Sequence, residues 1–62
     1  MEYFKEVNGN LLIRMLDSGE MQRYDRKQGM WVRDQSMAQI FYGGIIANTV
    51  DEAVIKEAIK NG

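Results

Sequence analysis

Arg14, Tyr24, Trp31 and Arg33, with Leu12 beside them in the sequence pattern, are the side chains best suited to contact something outside the chain. Aromatic rings stack on bases or pack on apolar partners, and a guanidinium offers a planar fork of donors to phosphate or carboxylate. Tyr24 and Trp31 also bracket the polar stretch in "YDRKQGMWVRD", where a Gly follows four polar residues. The same residues therefore suit two roles: a binding surface, or a hairpin whose aromatic pair holds two strands in register.

Other chemistry is sparse. There is no histidine, which removes the commonest general base and metal ligand, and no cysteine, which removes thiolate nucleophiles and thiolate metal sites. Ser18 and Ser36 have no base partner that the sequence identifies, so a hydrolytic triad is excluded. The acidic pairs in "DSGE" and "VDEAV" lack the ligand count of a calcium loop and read as hairpin and helix-start residues. Gly43 and Gly44 lack the Lys-Ser/Thr of a phosphate loop and read as a helix stop. Paired carboxylates need a shared concave site to act as acid and base, and so short a chain rarely encloses one. A non-enzyme without metal, cofactor or small-molecule substrate is expected.

The elements that must position the aromatic and basic residues follow from glycine punctuation. Asn8-Gly9, Ser18-Gly19 and Gln28-Gly29 recur about ten residues apart, the spacing of a β-meander. The runs between them, Glu2 to Val7, Asn10 to Leu16, Glu20 to Asp25 and Met30 to Arg33, suit strands. A two-residue type I′ turn at Asn8-Gly9 sets Phe4 opposite Ile13. At the second turn, a two-residue loop would oppose Arg14 and Arg23, so a three-residue loop with a left-handed Gly19 is expected, placing Met15 opposite Met21. A four-residue loop from Arg26 to Gly29 then sets Tyr24 against Trp31 and Gln22 against Arg33.

Those registers divide the sheet into two faces. Phe4, Leu11, Ile13, Met15, Met21, Met30 and Val32 form a core face. Tyr3, Val7, Leu12, Leu16, Tyr24 and Trp31 share the other with Lys5, Arg14, Gln22 and Arg33. The second face is neither clean core nor clean surface.

From Thr49 onward the period becomes helical. Thr49 and Glu52 have capping-box spacing, Val50, Val54, Ile55, Ala58 and Ile59 share a face, and Asn61-Gly62 supplies stop residues. "DQSMAQIFYGG" reads as a shorter helix capped by Asp34 or Ser36, with Met37, Ile40 and Phe41 inward. "IIAN" is either one further short strand or a segment that lays Ile45 and Ile46 across the core. The expectation is a single α+β domain over residues 1–62: an antiparallel meander of three or four strands in residues 1–34, then a helical half in residues 35–62. The short helix plugs an end of the core, and the C-terminal amphipathic helix packs on one sheet face.

Composition bounds the remaining possibilities. Sixty-two residues, 45 % hydrophobic and 27 % charged, match a soluble domain near the lower size limit for folding alone. "SMAQIFYGGIIANTV" is too short for a membrane span, and "MEYFKEVNGN" has neither the basic start nor the apolar run of a signal peptide, so a cytoplasmic protein without a membrane partner is expected. A net charge of −1, with signs balanced within residues 1–34, provides no long-range field toward nucleic acid.

In the Tyr-Asp turn leading to a tryptophan strand ("YDRKQGMWVRD"), the aromatic-Gly-Gly segment ("IFYGG") and the acidic helix ("DEAVIKEAIK"), residues 24 to 60 resemble a group of short, uncharacterised bacterial proteins. The resemblance implies a small autonomous protein and carries no activity, cofactor or site.

Function then turns on the mixed face. One helix covers one sheet face, which leaves an apolar patch on the other, larger than monomers usually expose. Leu12, Arg14, Tyr24, Trp31 and Arg33 are the candidate interaction face, and Tyr, Trp and Arg are typical of interface hot spots. Contact with a protein, either a second copy or another partner, is the leading expectation. Single-stranded nucleic acid stacking on the rings is the alternative, disfavoured by the near-zero charge.

Overall fold

The structure is a computed structural model that describes residues 1–62. Strands β1 (Glu2–Glu6), β2 (Leu12–Met15), β3 (Met21–Asp25) and β4 (Met30–Arg33) form the meander, and a fifth strand, β5 (Ala47–Val50), joins the free edge of β1. The sheet order is β4-β3-β2-β1-β5, antiparallel throughout.

Glycine and charge set the registers. Phe4 faces Ile13, Met15 faces Met21, Tyr24 faces Trp31 and Gln22 faces Arg33. At the second turn Gly19 has φ +94° and its N–H donates to the Leu16 carbonyl at 2.8 Å, while the Leu16 N–H donates to the Glu20 carbonyl at 2.9 Å. At the third, Gly29 has φ +68° and donates to the Asp25 carbonyl at 2.8 Å. The Asp25 carboxylate tightens that turn by accepting from the Lys27 and Gln28 N–H groups at 2.9 and 3.2 Å.

The first turn reaches the expected register by a different route. A type I′ turn requires positive φ at both central residues, and neither Asn8 nor Gly9 has it. The Glu6 side chain organises this end instead: its Oε1 accepts from the Leu11 N–H at 3.3 Å and would lie 1.9 Å from a Cβ at position 9. Gly9 has no left-handed backbone, and a side chain there would meet only the movable end of Glu6.

The segment after β4 is a 3-10 helix, Gln35–Phe41, whose N-cap Asp34 accepts from the Ser36 N–H at 3.0 Å. Residues three apart eclipse in such a helix, so Met37 and Ile40 share its inner side. Met37 is buried with Phe4, Ile13 and Met21, and Leu11, Met15, Ala38, Ile40, Ile45 and Ala47 pack around them. Phe41 falls off that stripe; it is exposed, with only its ring edge against Phe4, centroids 5.9 Å apart. The helix stops at Tyr42 and at Gly43, with φ +87°, and the Gln39 carbonyl accepts from the N–H groups of Tyr42 and Gly44, each at 3.1 Å.

Further expectations change in both halves. Thr49 is a strand residue, because β1 has a free edge and β-branched Thr49 and Val50 can pair there; the N-cap of α1 (Glu52–Asn61) is Asp51, without a side-chain cap hydrogen bond. The 3-10 helix, not α1, covers the Phe4 face. The α1 helix lies over the opposite face, where Ala53, Val54, Glu57 and Ala58 border Lys5, and where Leu12 and Ile55 are buried apart from the Phe4 cluster. Each sheet face therefore has its own cover. Met30, expected inside, is exposed because β4 is an edge strand.

Candidate functional site

Pairing aligns Tyr3, Arg14, Gln22 and Arg33 across four strands, with Tyr24 and Trp31 in the neighbouring row. The rings lean toward one another. Tyr24 meets Trp31 edge-on at 5.4 Å between centroids, and Tyr3 reaches to 6.4 Å from the same indole. The Arg14 guanidinium carbon lies 4.5 Å from the Trp31 ring centroid, a cation–π contact of about 0.5–1 kcal/mol where solvent is near.

A polar chain fixes the arginine in that position. Arg14 Nε donates to Gln22 Oε1 at 2.7 Å, and Gln22 Nε2 donates to Glu20 Oε2 at 2.6 Å. Arg33 Nε stands 4.0 Å from Glu20 Oε1, with its side chain 72 % exposed. Glu20 thus faces Arg33 directly and reaches Arg14 only through the Gln22 amide. Arg23 points to the other face and pairs with Asp34 at 3.0 Å, separate from Arg33 as the register requires.

The five candidate residues are not equivalent. Arg14, Tyr24 and Trp31 are half-buried and clustered, and Arg33 projects into solvent. Leu12 is 1 % exposed and cannot be touched from outside. Its place in the candidate face is corrected: α1 lies across the sheet on that side and removes it from the surface. Tyr3 and Leu16, also expected in an open patch, are half-buried, while Val7 is exposed.

Besides Asp17, which the N-terminal ammonium holds low, two carboxyls near the turns are held below their ordinary range. For Asp34 the chief cause is the Ser36 hydroxyl, with further help from Arg23 and the Ser36 N–H; for Asp25 it is the Gln28 N–H, helped by Lys27. Both serve local geometry. No three acidic side chains come together as a metal cluster, and no helix is long and apolar enough to cross a membrane.

The side chains that the residue-type search passed over lie between the two helices. Tyr42 is 84 % exposed, Ile46 63 % and Phe41 55 %. Residues 36–50 contain no charge at all, a signal present in the sequence but read there only as too short for a membrane. Fold and surface together define a small α+β domain with a five-stranded antiparallel sheet. No protein-family model, curated protein or solved structure matches the chain.

Proposed function

We propose that this chain is a small non-enzymatic protein-contact domain, acting by self-association or by docking on a protein partner. The observation that carries this reading is the exposed set Phe41, Tyr42 and Ile46 within a charge-free stretch that ends in an edge strand. Large apolar groups left in water cost roughly 1.5–3 kcal/mol each relative to burial, and a partner would recover part of that. The contact surface is thereby moved from the expected Leu12, Tyr24 and Trp31 face to the 41–50 segment, with Arg33 as an accessible side chain at the opposite edge.

Sedimentation velocity from micromolar to millimolar concentration tests the self-association form. The wild type should sediment faster as concentration rises, and a Tyr42→Ser/Ile46→Ser double variant should not. If both behave as monomers throughout, self-association is lost as a function.

Single-stranded nucleic acid on Tyr24 and Trp31 is the weaker reading. A base would have to displace Arg14 from the indole, and Arg14 is tied to Gln22. Trp31 fluorescence should stay unquenched by oligonucleotide at low salt; strong, salt-sensitive quenching would restore that reading.

A further inference from the structure

The outer edge of β5 has two residues whose backbone groups point away from the sheet. Hydrogen-bonded pairs alternate along an antiparallel ladder, and the Val7 N–H donates to the Ile46 carbonyl at 2.9 Å. Ile46, Asn48 and Val50 therefore bond to β1, while Ala47 and Thr49 direct their N–H and C=O groups outward. No strand lies on that side, and no other backbone or side-chain bond takes these groups. The outward groups just beyond them are engaged: the Ile45 N–H donates to the Gln39 carbonyl at 3.4 Å, and the Asp51 carbonyl accepts from Val54 at 3.0 Å.

We infer that β5 pairs antiparallel with β5 of a second copy about a twofold axis at Asn48, joining the two sheets into one of ten strands. This deepens the contact reading above and rests on it. In this register Ala47 lies opposite the partner copy's Thr49, and Thr49 opposite its Ala47, so every free outward group of β5 finds a partner in four bonds. A shift that centres the axis on Ala47 or on Thr49 instead brings Ile45 or Asp51 into bonding positions where a backbone group is already engaged.

The side chains match in the same register. Asn48 faces its own twin, and an amide both donates and accepts, so two can bond each other. Ile46 faces Val50 of the other copy, apolar against apolar. No charge enters the pairing, and the edge lacks the lysine, proline or bulge with which edge strands resist one another. The helix that follows does not bar the approach, since α1 ends near Arg26 and Asn10, on the β2–β3 side of the sheet. The other edge, β4, ends in exposed Arg33, which sets a cation into any self-pairing there. A short ladder falls below the size of stable interfaces, roughly 1,200 Å² in total, so the dimer is a weak one read at high concentration.

The test uses Asn48, which is exposed and has no side-chain hydrogen bond within the chain. Asn48→Asp places two carboxylates at the axis, and it should remove the dimer seen for the wild type while circular dichroism shows an unchanged fold. Mixing Asn48→Asp with Asn48→Lys should restore a heterodimer. Thr49→Pro deletes one outward N–H per chain without touching a bond to β1, and it too should weaken association at least tenfold. A wild-type dimer that survives Asn48→Asp and Thr49→Pro unchanged overturns this edge but leaves the contact reading standing, with Tyr42 as its centre. A wild type that stays monomeric at millimolar concentration overturns the pairing and the self-association form together.

Discussion

Single residues carry the hairpins, for different physical reasons. Gly19 needs its left-handed backbone, and nothing lies within 4 Å of where its Cβ would be, so the cost of Gly19→Ala is conformational alone. A loss of about 1–2 kcal/mol in urea unfolding is expected. Gly9 has neither a left-handed backbone nor a rigid neighbour, since only the movable Glu6 carboxyl lies where its Cβ would be. Asp34 joins three bonds, to the Ser36 N–H, the Ser36 hydroxyl and Arg23. Its carboxyl titrates below the ordinary value of 3.8, so the folded state binds the proton less readily than the unfolded chain. The stability it contributes is complete above that ordinary value and is lost as pH falls through it toward the folded value. Melting temperature should decline in acid, and Asp34→Asn should flatten that decline; an unchanged pH profile in the variant would show that Asp34 contributes nothing.

At the scale of elements, the β-hairpins and the Asp34 cap of the 3-10 helix were legible from sequence, and the start of α1 was not. Three turns with fixed glycines and a like-charge clash at Arg14 and Arg23 leave few registers, all of them local in the chain. The Thr49-Glu52 spacing equally fits a capping box, yet Thr49 faces Phe4 in a strand ladder. Local pattern cannot register that β1 had an edge to fill, because the partner lies more than forty residues away in sequence. The candidate site was legible in the same partial way: the Tyr24-Trp31 pair came from turn length, whereas the cover over Leu12 depended on where α1 docked. Met37 is the one buried residue of the 3-10 helix. Its truncation to Ala should cost about 2–5 kcal/mol. Chains this short rarely have more than about 3–5 kcal/mol in total, so Met37→Ala should be largely unfolded at room temperature by circular dichroism.

For the whole molecule, a sheet with covers on both faces divides a small core into two thinner ones. Phe4, Ile13, Met21 and Met37 serve one side, and Leu12 and Ile55 serve the other. Neither is large, so the proposed association through β5 would add stability as well as contact. If the folded chain pairs and the unfolded chain does not, mass action raises the melting temperature with protein concentration. Scanning calorimetry from micromolar to millimolar chain should show that rise in the wild type and none in Asn48→Asp; a concentration-independent midpoint in both would separate stability from pairing.

The amino-acid sequence by itself determined the meander, its registers, the Tyr24-Trp31 pair and the amphipathic character of the last helix, since each rests on turn chemistry or periodicity within about ten residues. Tertiary structure alone decided that β5 closes the free edge of β1, that the 3-10 helix and α1 take opposite faces, and that Leu12 is inside while Tyr42 and Ile46 are outside. The physical reason is that an amphipathic helix can dock on either face of a two-sided sheet. Which face it takes depends on the chain's path through β5, and that path is set by unpaired backbone groups at a sheet edge, which no side-chain pattern records.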